Sequence, residues 1–152
     1  LTNFGKFGVT ATDQRGVTRA QGPACDSGAF ELEPSAATVP GVCKGKTATI
    51  TGSQEIDVLT GTKANDIIAA LGGNDVVNGA GKNDLICGGD GNDKLKGGSG
   101  KDKLLGENGN DNLKGGGGDK DKTVGGKGED KCSGGGGDGD KAKKCETVKA
   151  VP

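Results

Sequence analysis

Residues 88–105 read GGDGNDKLKGGSGKDKLL, two consecutive copies of one nine-residue pattern, GGxGxDxUx, in which U is a large aliphatic. The pattern runs outward in both directions. Aspartates stand at Asp57, Asp66, Asp75, Asp84, Asp93, Asp102 and Asp111, each nine residues after the last, and the series continues through Asp121, Asp130 and Asp140. Gly115 and Gly134 read as single-residue insertions that lengthen two repeats to ten. Two residues after each aspartate come Leu59, Ile68, Val77, Ile86, Leu95, Leu104, Leu113, Thr123, Cys132 and Ala142 in turn. An apolar column thus shares the phase of the aspartates, as expected of a stacked repeat architecture. Asp and Asn favour turns on their own account, but turn propensity does not supply strict spacing together with a phased aliphatic column.

The period is not helical, because successive copies would rotate around a helix of 3.6 residues per turn and glycine pairs would break it. A six-residue turn followed by a three-residue strand fits the pattern. The central residue of such a strand points one way and its neighbours the other, which turns the aliphatic column inward.

Composition agrees. Only 30% of the 152 residues are hydrophobic, and the aromatic residues are three phenylalanines, so an ordinary globular core is not expected. Glycine fills 33 positions and proline four, which suits neither collagen nor a proline-rich linker. Lys plus Arg numbers 20 against 21 for Asp plus Glu, leaving no whole-chain charge to attract nucleic acid or membrane. Five cysteines in so core-poor a chain point to an oxidising compartment, and we read the protein as secreted. No apolar run approaches the ~20 residues of a membrane span.

The repeat resembles the RTX (repeats-in-toxin) family of calcium-binding nonapeptides over roughly 60% of the chain. That resemblance implies an all-β fold, a right-handed parallel β-roll in which two repeats make one coil and several calcium ions sit between turns stacked 18 residues apart. Calcium takes six to eight oxygen ligands, and a glycine turn offers backbone carbonyls while the aspartate adds a carboxylate. Carried over residue by residue, the family motif implies Asp66, Asp75, Asp84, Asp93, Asp102, Asp111, Asp121, Asp130 and Asp140 as ligands. Asp90 and Asn108, at the third turn position, are additional candidates.

Some positions depart from the motif. The first repeat, GSQEID, keeps one glycine, so Asp57 is expected to cap the roll without a full site. Lys82 and Asp119 fall where glycine is usual. Lysine fills many outward positions, among them Lys94, Lys96, Lys103, Lys114, Lys122, Lys131 and Lys141, where the family is usually acidic. A solvated face that keeps the roll soluble is the simpler reading of them.

Residues 1–42 are read as the tail of an upstream β-helix-like domain plus linker, 43–51 as an entry strand or cap, 52–143 as the roll and 144–152 as a C-terminal cap. The stretch Thr12 to Glu31, TDQRGVTRAQGPACDSGAFE, resembles the closing segment of secreted parallel β-helix proteins of the choice-of-anchor Q type. With the sequence starting at Leu1, a processing or fragment boundary is expected there. At the far end the column decays to Thr123, Cys132 and Ala142. Cys132 and Cys145 could close the last coil as a disulfide, with a buried free thiol at Cys132 as the alternative.

Assigning alternate repeats to opposite sheets gives the outward faces. One exposes an apolar strip of Ile67, Ala69, Leu85, Cys87, Leu105 and Val124; the other carries Lys94, Lys96 and Lys114. Such strips usually mark a contact, and the N-terminal segment with Phe4, Phe7 and Phe30 is the expected cover, a partner subunit the alternative.

The inward column is too thin to offset the ordering of some ninety residues, so calcium binding is expected to drive folding. The expected function is a secreted calcium-binding structural module that stabilises or caps a larger extracellular protein. An adhesin or self-assembling matrix component, with acidic glycans or other copies as partners, is the second reading. The chain has no histidine or tyrosine and no serine nucleophile motif, and no enzyme is expected. Nucleic acid and a membrane span are not expected either.

Overall fold

One nine-residue repeat is long enough for a strand and a reversal, so consecutive repeats fall on opposite walls and every second repeat returns to the same wall. The computed structural model describes residues 41–149, which build such a two-walled solenoid. A hairpin comes first, β1 (Val42–Cys43) and β2 (Lys46–Thr47), paired antiparallel. The first wall is then β3 (Ile50–Thr51), β5 (Ile67–Gly72), β7 (Leu85–Asp90), β9 (Lys103–Asn108), β11 (Lys122–Lys127) and β13 (Lys141–Lys143). The second is β4 (Val58–Thr60), β6 (Val76–Gly81), β8 (Lys94–Ser99), β10 (Asn112–Gly116), β12 (Lys131–Gly135) and β14 (Thr147–Lys149). Every pairing within a wall is parallel. The expected all-β parallel β-roll is the observed fold.

The walls meet on the aliphatic column. Ile68, Ile86 and Leu104 from the first wall and Val77, Leu95 and Leu113 from the second are all buried, with Cys132 behind them. Thr123 is completely buried in this column and its Oγ1 has no hydrogen-bond partner, so the decay foreseen at the C-terminal end is a real weakness in the core.

The strands are longer than the expected three residues. Leu71 pairs with Gly89 and Gly72 with Asp90, so the ladder continues from the strand into the glycine turn of the next repeat. The bend comes at residues of positive φ instead. Leu71, Ala80 and Glu107 adopt φ of 81°, 83° and 84° where other repeats place glycine. At Gly91 (φ 128°) glycine is obligatory, since a Cβ would collide with the carbonyl of Gly73 in the coil below.

The two ten-residue repeats are lengthened elsewhere than expected. Gly116 stays in register with Gly98 and Gly135, and a Cβ on Gly115 would meet the Gly134 carbonyl just as one on Gly97 meets that of Gly115. Gly115 and Gly134 are therefore regular positions. The extra residues are Lys120 and Gly139, both left-handed (φ 68° and 75°), just ahead of the next aspartate. Asp119 moves with them, out of the glycine position and into the fifth turn position, where its Oδ1 accepts the Asp138 N–H. Lys82 does sit at a glycine position, with φ 74°.

The apolar strip lies on the outer face of the first wall, and residues 41–48 cover its early part. The two-residue turn Lys44–Gly45 has positive φ at both positions, as a tight hairpin requires. It folds β1 onto the wall so that Cys43, Ala69, Cys87 and Leu105 form a buried cluster, with Ala48, Ile67, Leu71 and Leu85 packed against it. A Cys43–Cys87 disulfide fixes the hairpin there. Cover of the strip by Phe4, Phe7 and Phe30, and the β-helix resemblance of residues 12–31, fall outside the described residues. On the second wall Val58 and Val76 are exposed, and so are Lys94 and Lys96.

The C-terminal end is closed by the Cys132–Cys145 disulfide, and β14 extends the second wall beyond residue 143 by pairing with β12. Closing loops of 44 and 13 residues, the two bridges are worth about 4 and about 3 kcal/mol in the chain-entropy model.

Leu104→Ala should lower the stability of the calcium-loaded roll by roughly 2–5 kcal/mol, whereas Val58→Ala on the open face should change it by less than about 0.5 kcal/mol. Urea unfolding at saturating calcium measures both.

Candidate metal sites

Each periodic aspartate closes a glycine turn and points its carboxylate back into it. Nine are buried, from Asp66 to Asp140, and a buried carboxylate must find partners for two oxygens. One oxygen is accounted for from Asp75 onward. Oδ1 accepts the backbone N–H of the aspartate one coil earlier: Asp57 to Asp75, Asp66 to Asp84, Asp75 to Asp93, Asp84 to Asp102 and Asp93 to Asp111, all at 2.7–2.8 Å. The lengthened repeats preserve it, with Asp102 donating to Asp121, Asp111 to Asp130 and Asp121 to Asp140.

The other oxygen is the open one. Oδ2 of Asp75, Asp84, Asp93, Asp102, Asp111, Asp121, Asp130 and Asp140 is buried without any hydrogen-bond partner. From Asp84 onward each faces the first glycine of its own turn, while Ala70 holds that position in the turn of Asp75. A Cβ built on Gly79 would stand 2.5 Å from Asp84 Oδ2 and 2.5 Å from the carbonyl oxygen of Gly97 in the next coil. Oxygens of two successive coils therefore converge on space that the missing side chain of Gly79 leaves clear. Among the described residues no three acidic or thiol side chains gather at one point, so a cation held here takes most of its ligands from backbone carbonyls. That donor set, oxygen only and mainly neutral, suits calcium.

The first two repeats differ. Asp57 Oδ2 accepts from the Ser53 N–H and hydroxyl, and Asp66 Oδ2 from the Thr62 N–H and hydroxyl. Ser53 and Thr62 stand where later turns have glycine, alanine, leucine or glutamate. The series of open oxygens accordingly begins at Asp75. Asp90 and Asn108 are brought together in register on the first wall, but they are exposed and bond to each other, Asn108 Nδ2 donating to Asp90 Oδ1 at 2.7 Å.

Two elements escaped the sequence reading. The fifth turn position carries a second ladder running the opposite way, in which the side chain accepts from the coil after it: Asn65 from Asn83, Asn83 from Lys101, Asn74 from Asn92, Asn92 from Asn110 and Asn110 from Glu129. Its signal was present as the recurrent Asn before Asp. Glu146, without any periodic signal, accepts the Asp130 N–H through Oε1 and ends the aspartate ladder.

Residues 51–86 and 88–119 match the family model of the RTX calcium-binding nonapeptide repeat, in four copies. These segments are RTX repeats. No curated protein and no solved structure matches the chain. The aspartate ladder continues past the matched residues through Asp121, Asp130 and Asp140, which keep the same Oδ1 bond and the same open Oδ2.

Electrostatics of the RTX column favour a cation. Burial pushes the Asp102 carboxyl up to about 7, against the lowering effect of its Asp84 N–H bond, and the charges of Asp121 and Asp84 raise it further. Burial likewise brings Asp84, Asp93 and Asp111 to about 6, and it raises Asp75 and Asp121. Stacked like charges in a dry turn resist ionisation unless a positive charge joins them.

Asp93→Asn keeps an Oδ1 acceptor for the Asp75 N–H but removes the anionic open oxygen. It should weaken calcium-induced folding and flatten its cooperativity, while Asp57→Ala at the capped first turn changes the calcium midpoint little. A titration followed by circular dichroism checks the order, and the reverse order would place the sites elsewhere.

The raised carboxylates also fix the sign of a pH effect. Their contribution to the metal-free roll is favourable when protonated and is lost as pH rises through the folded values of about 6 to about 7. Acidification through that window should move the calcium midpoint upward and give the chelated chain more β-structure; loss of structure from the chelated chain would contradict the assignment.

Proposed function

We infer that this is a secreted structural module that folds on meeting extracellular calcium and then stabilises or caps a larger extracellular protein. The observation that carries the reading is the column of eight buried carboxylate oxygens without partners. Leaving a buried acceptor unsatisfied costs about 1–3 kcal/mol, more for a charged one, and the roll repeats that cost at every turn. Where calcium is scarce the column opposes folding. Where calcium is plentiful its binding energy is folding energy, with Asp75, Asp84, Asp93, Asp102, Asp111, Asp121, Asp130 and Asp140 as side-chain ligands and Asp66 as a weaker edge candidate.

RTX repeats are typical of secreted proteins, and two disulfides are consistent with an oxidising compartment. The capping role is supported by the likeness of residues 12–31 to the end of a secreted β-helix. A non-catalytic role is supported by the commitment of the periodic carboxylates to the scaffold ladder.

Calcium removal provides the test. Chelation should abolish the β-signal of residues 41–149 and expose them to protease, and restoring calcium should return both. Magnesium should not substitute, because it demands a small octahedral shell and holds its waters. Full β-structure in excess chelator, or equal folding in magnesium, would refute the reading.

A further inference from the structure

The outer face of the first wall changes character along the roll. In one row Ile67, Leu85, Lys103, Lys122 and Lys141 lie side by side, and in the next Ala69, Cys87, Leu105, Val124 and Lys143. The hairpin covers the apolar part and ends with Lys44 at its tip. Beyond it lies a groove of about 410 Å³ lined by Lys44, Lys103, Lys122, Lys141 and Lys143 over a floor of Leu105 and Val124.

We propose that this groove binds an extended acidic polysaccharide. Lys103, Lys122 and Lys141 are direct register neighbours on strands roughly 4.8 Å apart, and like charges placed opposite each other in a sheet are unfavourable. A polyanion laid along the row relieves that repulsion at every strand. The spacing suits a chain with one anionic group per sugar, since a sugar residue in an extended polysaccharide advances by about one strand separation. The apolar floor, of which Val124 is the more exposed part, offers a surface for the ring faces.

The residue types separate this occupant from other polyanions. Every arginine and every aromatic residue of the chain lies before residue 41, so the roll has neither the forked donors that read bases nor the rings on which single strands stack. A concave groove also fits a single extended chain better than a planar lipid surface.

Calcium enters twice. Lysines and acidic residues are equal in number over residues 41–149, so each calcium taken up drives the roll toward positive charge. Folding also assembles the lysine rows, which are distant in sequence. The proposal rests on the calcium-dependent folding above for this coupling alone.

The test uses the full chain and labelled dextran sulfate, followed by fluorescence anisotropy, with folding read separately by circular dichroism. Binding should require calcium and weaken with salt. Lys103→Gln/Lys122→Gln/Lys141→Gln should weaken it by roughly tenfold or more, while Lys94→Gln/Lys96→Gln/Lys114→Gln on the second wall should change it by less than about twofold. Lysine acetylation of the unaltered chain gives a readout independent of any variant's folding: bound dextran sulfate should protect the groove lysines and leave Lys94, Lys96 and Lys114 reactive. Equal losses in both triple variants, or protection spread over both walls, would overturn the site. Equal or tighter binding of single-stranded DNA or phosphatidylserine vesicles would overturn the ligand class. Full binding after chelation would remove the coupling, and a chain that ignores calcium in circular dichroism while binding dextran sulfate through the groove would sink the folding reading and leave the groove standing.

Discussion

The division of labour within each aspartate carboxylate governs the structure. One oxygen is spent on the backbone N–H of the coil before it, which sets the axial spacing and keeps the aspartates in a column. The second is left over in a turn from which side chains and water are excluded. Both oxygens matter: the first adds a side-chain tie to the backbone register at each coil, and without a partner for the second the column is a stack of buried negative charge. An aspartate is the shortest side chain that offers both, and its place immediately after the turn lets the same group close one coil and hold the next.

The glycine content follows from that arrangement. Carbonyls and carboxylates of successive coils approach so closely at the first turn position that a Cβ on Gly79 would press on both. Elsewhere in the turn the requirement varies from coil to coil, since Leu71, Ala80 and Lys82 hold left-handed conformations at a modest cost in strain whereas Gly91 has no room for a Cβ. The first position carries alanine once, at Ala70, in the turn that Asp75 closes.

Much of this was legible because period and chemistry coincide. The spacing of the aspartates fixed the two-walled coil, and the phased aliphatics identified the inward residues from Ile68 to Leu113. What stayed hidden depends on three-dimensional approach. A run of four glycines gives no hint of which member is extra, so Gly115 and Gly134 looked like insertions, although the backbone relaxes at Lys120 and Gly139 instead. Thr62 and Ser53 look like ordinary turn residues until their hydroxyls are seen to occupy the aspartate oxygens. The strip over Ile67 and Leu85 was visible as a surface in need of cover, but small residues such as Ala48 and Cys43 do not advertise themselves as the cover in the way that phenylalanines do. Glu146 could not be found by periodicity, because it reaches the Asp130 N–H from outside the nine-residue frame.

The disulfides stand where the repeating interactions run out. At the N-terminal end Oδ2 of Asp57 and of Asp66 is already bonded within its own turn, so those turns gain less from a shared cation, and Leu59 is only partly buried. There Cys43–Cys87 ties the covering hairpin to the second full coil of the first wall. At the other end the inward column falls to Thr123, Cys132 and Ala142, and the ladder finishes on a glutamate. There Cys132–Cys145 joins the last buried position of the second wall to the segment that carries that glutamate. A solenoid held by nearest-neighbour contacts is weakest at its terminal coils, which have one neighbour each. Covalent closure at both ends limits fraying to what the disulfides allow and leaves the central coils, where open oxygens and buried aliphatics coincide, to respond to calcium as a unit.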